Sequence, residues 1–239
     1  MSTETIVAAA GRWLQKDTSE RAGMGPEIIA TCSVAVRELV SRLQALDYPV
    51  DPMLVACVDV DNAIAALEES GTGVPPALAE VWRQIGGISL VDLDHYRHMA
   101  FWEERLGGDG GVFACDGVVV EAPNDEAWIG YVLDLFDEQA DIGQTPGFPI
   151  SPDALHKDNT SGGGPYEIVP DGGDPWMASL REFSWNAPVR PTSAPPGSAP
   201  DLVSYLRTAI LECAGFPGLL GTAGFEPLRR ELTQGLPVF

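Results

Sequence analysis

The stretch from Val74 to Gly87, VPPALAEVWRQIGG, is the narrowest constraint on what this chain can fold into, because its apolar residues keep one period and both its ends carry stop signals. Pro76 suits the first turn of a helix, where the N–H it lacks would have no partner. Leu78, Val81, Trp82 and Ile85 recur at helical spacing and form one apolar stripe. Gly86 and Gly87 can then take the left-handed conformation that closes a helix. A short helix with a single stripe must lay it against something, so the stretch reads as a core helix with Trp82 as its anchor.

The remainder can supply that core. With 239 residues, 45% of them hydrophobic, and six tryptophans, the chain can bury one domain, with room for a small accessory unit. The first twenty residues lack a basic start followed by an apolar run, so no signal peptide is expected, and no stretch approaches the ~18 consecutive apolar residues of a membrane span. Cys32, Cys57, Cys115 and Cys213 are scattered through apolar contexts, which suits free buried thiols better than disulfides or a zinc cluster. The expectation is a cytoplasmic protein.

Charge narrows the partners. There are 35 acidic residues against 14 basic ones, a formal net charge of −21, and the only lysines are Lys16 and Lys157. Such a surface repels nucleic acid and anionic membranes, so neither is expected as a partner. Two readings remain: carboxylates that keep the protein soluble, or an acidic surface complementary to a basic protein.

Along the chain, Ile6, Val7, Ala10, Trp13 and Leu14 share one helical face, and residues 26–46 share another from Ile28 to Leu46. Pro26 is placed for the first turn of that second helix, and Tyr48-Pro49 with Asp51-Pro52 ends it. Asp59 or Asp61 can cap a third helix through Ile64 and Leu67. After Gly87 the pattern shifts: Ile88, Leu90, Val91 and Leu93 read as a strand, as do Val118 to Val120 and Tyr166, Ile168 and Val169, while Phe148-Pro149-Ile150 reads as extended chain before a turn-prone run from Ser151 to Gly164. Tyr96, Phe101 and Trp102 fit either a short helix or a strand. Asn124-Asp125 can cap a helix carrying Trp128, Val132, Leu135 and Phe136, and Asp201 starts a last helix through Leu211. Residues 188–200 are too rich in Pro, Ser and Gly for a packed element and read as an exposed loop. Helices first, then strands with interspersed helices, then a helix, argue for an α+β fold.

The residues that often carry chemistry do not assemble into a motif. His156 lies near Asp158, Ser161 and Gly162 to Gly164, but there is no G-x-S-x-G elbow and no phosphate loop, so a hydrogen-bonded turn is the better reading. His95 and His98 with Asp92 and Asp94 lack a third strong metal ligand. Asp59-Val60-Asp61-Asn62 lacks the later ligand and glycine of a calcium loop, and Gly107 to Gly111 has neither the strand before it nor the helix after it that a dinucleotide fingerprint needs. No catalytic residue, cofactor or metal is expected.

Several segments taken in order resemble bacterial members of the SUKH superfamily. They are Ile64 to Glu68 with Val74-Pro75-Pro76, Leu78, Trp82 and Gly86-Gly87; Asp116 to Val120; Phe148 to Tyr166; and Ser204 to Gly218. The resemblance implies a mixed, largely antiparallel sheet flanked by helices over residues 56–239, with residues 1–55 as an N-terminal helical extension outside the pattern. It further implies protein binding rather than catalysis, as in immunity proteins that neutralise a cognate bacterial toxin. The partner would be a toxin domain with a basic surface, and Glu68, Glu69 and Asp92, near the signature helix, are the candidate contacts. The alternatives are a regulatory scaffold, or an enzyme using His156 or the His95/His98 pair.

Overall fold

The computed structural model describes residues 3–69, 71, 73–92, 94–108, 117–124, 126–150, 167–170, 172–181, 189–194 and 199–239. Two helices open the chain, α1 (Thr3–Leu14) and α2 (Thr18–Ala45). The second begins well before Pro26, which sits inside it, because Asp17 and Glu20 form a capping box that nucleates the helix upstream. Next come β1 (Leu54–Val55), α3 (Val60–Glu68), α4 (Pro76–Gln84), β2 (Gly87–Ser89), α5 (Arg97–Leu106) and β3 (Val119–Val120). Phe101 and Trp102 therefore lie on a helix, which the period alone left open.

The second half holds α6 (Glu126–Asp141), β4 (Phe148–Pro149), β5 (Glu167–Val169), β6 (Ser179–Arg181), α7 (Leu202–Arg207) and α8 (Phe225–Thr233). At Thr208 the coil of α7 widens into a π-helical turn running to Glu212. The strands form two three-stranded antiparallel sheets, β1-β2-β3 and β4-β5-β6. In the first, Ile88 lies between Leu54 and Val120; in the second, Ile168 lies between Phe148 and Leu180. This is an α+β fold, with helices packed around two small sheets.

The long α2 is the hub. It packs on α4, α7, the π turn and α8, and its Ile29, Cys32, Val36, Leu39 and Leu43 are fully or almost fully buried. Trp13 of α1 meets Trp176 edge to face, and its indole donates to the Asp201 carboxylate at 3.1 Å. Arg21 of α2 pairs with Asp174. The helices of residues 1–55 thus share one continuous core with the remainder.

Two local expectations change. Asp59 precedes α3 in a left-handed conformation, and its side chain makes no cap hydrogen bond. The Pro-rich loop is exposed at Val189, Arg190 and Thr192, yet Pro191, Ser193 and Ala194 are buried. The cause is Glu212, whose carboxylate accepts from the N–H groups of Thr192 and Ser193 and from the Ser193 hydroxyl. Among the described residues no helix is long and apolar enough to cross a membrane.

Candidate functional site

The helix that dominates the sequence leads directly into a cleft on the first sheet. Leu78, Val81, Trp82 and Ile85 are all buried, with Trp82 only 1% exposed. Its indole N–H donates to the Glu121 carbonyl at 2.7 Å, tying α4 to the segment after β3. Gly86 has φ 88°, and a Cβ there would lie 2.2 Å from the Val55 carbonyl oxygen. Glycine is therefore required both by the turn and by the approach of β1. The next residue, Gly87, opens β2.

The cleft that results, about 230 Å³, is lined by Val55 of β1, Gly87 to Ser89 of β2, Val119 and Val120 of β3, and Trp128 of α6 among others. Trp128 meets Trp82 edge to face, centroids 5.8 Å apart, and its indole donates to Glu121 Oε2 at 2.6 Å. Glu121 thus holds both tryptophans, one through its carbonyl and one through its carboxylate. Val55, in the wall of the cleft, is 38% exposed, and Val58, three residues further along the chain, is 71% exposed. Apolar residues presented at the end of a strand suit contact with another protein surface.

The electrostatic surroundings are predominantly acidic, with Arg83 of α4 paired to Asp61 at 2.9 Å. Helices α3 and α6 pack on each other, and between them they carry Asp61, Glu68, Glu126, Asp134, Asp137, Glu138 and Asp141, all exposed. Neither helix contains a lysine, arginine or histidine. The arrangement opposes helix stability, since Asp134/Glu138 and Asp137/Asp141 are like-charge pairs one turn apart, and the last turn of α6 is acidic where the helix dipole favours cations.

The sequence candidates divide. Glu68 and Glu69 are exposed at the end of α3. Asp92 is buried: it accepts from the Arg97 side chain at 2.5 Å and from the His95 N–H at 3.2 Å, so its carboxylate is engaged within the protein rather than offered to a partner. Burial alone would raise the Asp92 carboxyl, but Arg97 and the two N–H donors outweigh it and hold it down to about 2.

His95 and His98 do not share a site. The His95 side chain is exposed, whereas His98 is fully buried and its Nδ1 accepts the Asp92 N–H at 2.9 Å. Burial pushes the His98 imidazole down to about 4. No group of three or more His, Cys, Asp or Glu suited to a metal occurs among the described residues. His156, Ser161 and Gly162 to Gly164 lie outside the described residues, as does Cys115; Cys32, Cys57 and Cys213 are free thiols. No family model, curated protein or solved structure matches the chain.

Proposed function

We propose that the protein is a non-catalytic binding module that neutralises a bacterial toxin by covering it, in the manner of an immunity protein, and that the toxin presents a basic surface. The observation that carries this reading is the acidic α3/α6 face beside an apolar cleft. Four of the seven carboxylates, Asp134, Asp137, Glu138 and Asp141, form like-charge pairs toward the end of α6 and lower the stability of that helix. Breaches of local consistency of this kind concentrate where a surface has work to do. The exposed Val55 and Val58 supply the apolar contact that opposes dissociation, while the carboxylates steer encounter.

Glu68 and Glu69 belong to this face, and Asp92 does not. The resemblance of the α4 helix to the SUKH signature supports the same class of function. A regulatory scaffold would share the chemistry but would not silence its partner.

The test is association with the product of an adjacent toxin gene, followed by stopped flow at rising ionic strength together with the toxin's own activity. The expected result is inhibition, with an on-rate that falls by about tenfold or more between low and high salt. Binding with a salt-independent on-rate would reject the acidic face as the steering surface. Binding without inhibition would favour the scaffold.

A further inference from the structure

Helices α1 and α2 carry none of the chain's excess charge. From Thr3 to Ala45 there are five acidic and five basic residues, so the formal net charge of −21 falls entirely on the rest of the protein. The same stretch leaves Val7, Leu14, Met24 and Val34 exposed. In so acidic a protein, a neutral face with apolar side chains on it is where another surface can come close with least repulsion.

This face has a knob and a hole. Val34, 58% exposed, stands on the outer side of α2, opposite the buried stripe of Ile29, Cys32, Val36, Leu39 and Leu43. Toward the start of the same helix a cavity of about 250 Å³ opens against α1, with Ala9 and Trp13 on one wall and Met24, Ile28 and Thr31 on the other. Of the charges that also line it, Arg207 is engaged by the main-chain oxygen of Phe239, and Arg12 and Glu27 offset each other. Val34 and Ile28 are about 9 Å apart along the helix axis. Thr31 lies midway between them and close to the middle of α2, which runs from Thr18 to Ala45. A two-fold axis through Thr31 therefore sets two α2 helices antiparallel over their full length, about 42 Å, and brings Val34 of each copy over Ile28 of the other. An isologous interface demands this self-complementarity, in which each patch meets its own counterpart.

We infer that this face binds a second copy of the chain, giving a two-fold dimer in which Val34 of each copy enters the groove lined by Ala9, Met24 and Ile28 of the other. Charge selects this occupant. A basic partner is drawn to the carboxylates that lie elsewhere, whereas two copies of net charge −21 repel one another least where both present residues 3–45. No residue of the α3/α6 face takes part, so each copy keeps its own acidic surface for another protein.

The experiment is analytical ultracentrifugation of the full chain between about 1 and about 100 μM, at low and at high salt. The expected result is a monomer–dimer equilibrium that tightens by about threefold or more as salt rises, because repulsion between the acidic copies is screened while apolar contact is not. Association with a basic partner moves in the opposite sense. Val34→Glu alters an exposed side chain, so it should leave the circular dichroism of the monomer unchanged and weaken the dimer by about tenfold or more. Val58→Glu, at a valine exposed outside this face, should leave the dimer as it is. Thr31→Cys, at the two-fold axis, should form a disulfide-linked dimer on mild oxidation in higher yield than the parent chain. A protein that stays monomeric at about 100 μM in high salt, a dimer that weakens with salt, or one indifferent to Val34→Glu would overturn the proposal. So would a Thr31→Cys chain that cross-links no better than the parent, or equal disruption by Val58→Glu, because the copies would then meet elsewhere.

Discussion

Single residues set the clearest energetic limits. Trp82 fills the junction of α4, β3 and α6, so Trp82→Ala should destabilise the protein by about 3–5 kcal/mol in urea unfolding, both through the cavity and through the lost bond to the Glu121 carbonyl. A loss under about 1 kcal/mol would show that the site collapses or that the indole is dispensable. His98 sets a pH dependence. Its folded value, about 4, lies below the ordinary 6.5, so the unfolded chain binds the proton first. Stability from the neutral imidazole is therefore complete above pH 6.5 and declines as pH falls toward 4, by up to ~3 kcal/mol. Asp92, held down to about 2 from 3.8, adds a second loss in the next window below. Replacing His98 with Gln should flatten the slope between pH 6.5 and 4 in urea melts taken across pH, while leaving the lower one. Trp82 was legible from the sequence because a lone stripe has one use. Asp92 and Arg207 were not, because a charge in sequence reads as solvated, and only contacts with Arg97 and Phe239 reveal that these two are buried.

At the scale of elements, the period located most helices, but the start of α2 was hidden by Pro26. A proline inside a helix removes one hydrogen bond and normally marks an end. Here Asp17 and Glu20 cap the helix earlier, and the packing of Trp13 and Trp176 near this first stretch holds it in place. Two glycines in that stretch separate packing from propensity. A Cβ on Gly25 would lie 2.2 Å from the Trp176 ring, whereas one on Gly23 would meet nothing within 4 Å. Gly23→Ala should then stabilise the protein by about 0.5–1 kcal/mol, and Gly25→Ala should destabilise it despite the same gain in helix propensity, the contrast being read from paired denaturant melts. Equal shifts of the same sign would mean that α2 does not bear on Trp176 as described. The Pro-rich loop misled for a different reason: its composition forbids secondary structure but not burial. Glu212 clasps it, so Glu212→Ala should expose residues 189–194 to limited proteolysis and cost about 1–3 kcal/mol by leaving buried donors unpaired.

For the whole molecule, net charge was legible from the sequence and its distribution was not. Only the packing of α3 on α6 turns two acidic segments, far apart in the chain, into one face. A solubilising surface has no need to concentrate charge on a helix that it weakens, whereas a surface that captures a basic partner does. The two explanations diverge in a variant carrying Asp134→Asn, Asp137→Asn and Glu138→Gln, all exposed positions of α6. Relief of repulsion should make this variant more stable than the parent at low salt, and the gain should shrink toward zero near 1 M salt, where the Debye length is about 3 Å. If the face binds a basic toxin, the same variant should associate more slowly at low salt while its off-rate changes little, because Val55, Val58 and the cleft are untouched. A stability gain with unchanged association would leave the charge as a solubility device and move the interface elsewhere. Slower association without a stability gain would mean that the carboxylates are far enough apart to tolerate one another, and the cost that singled out this face would disappear.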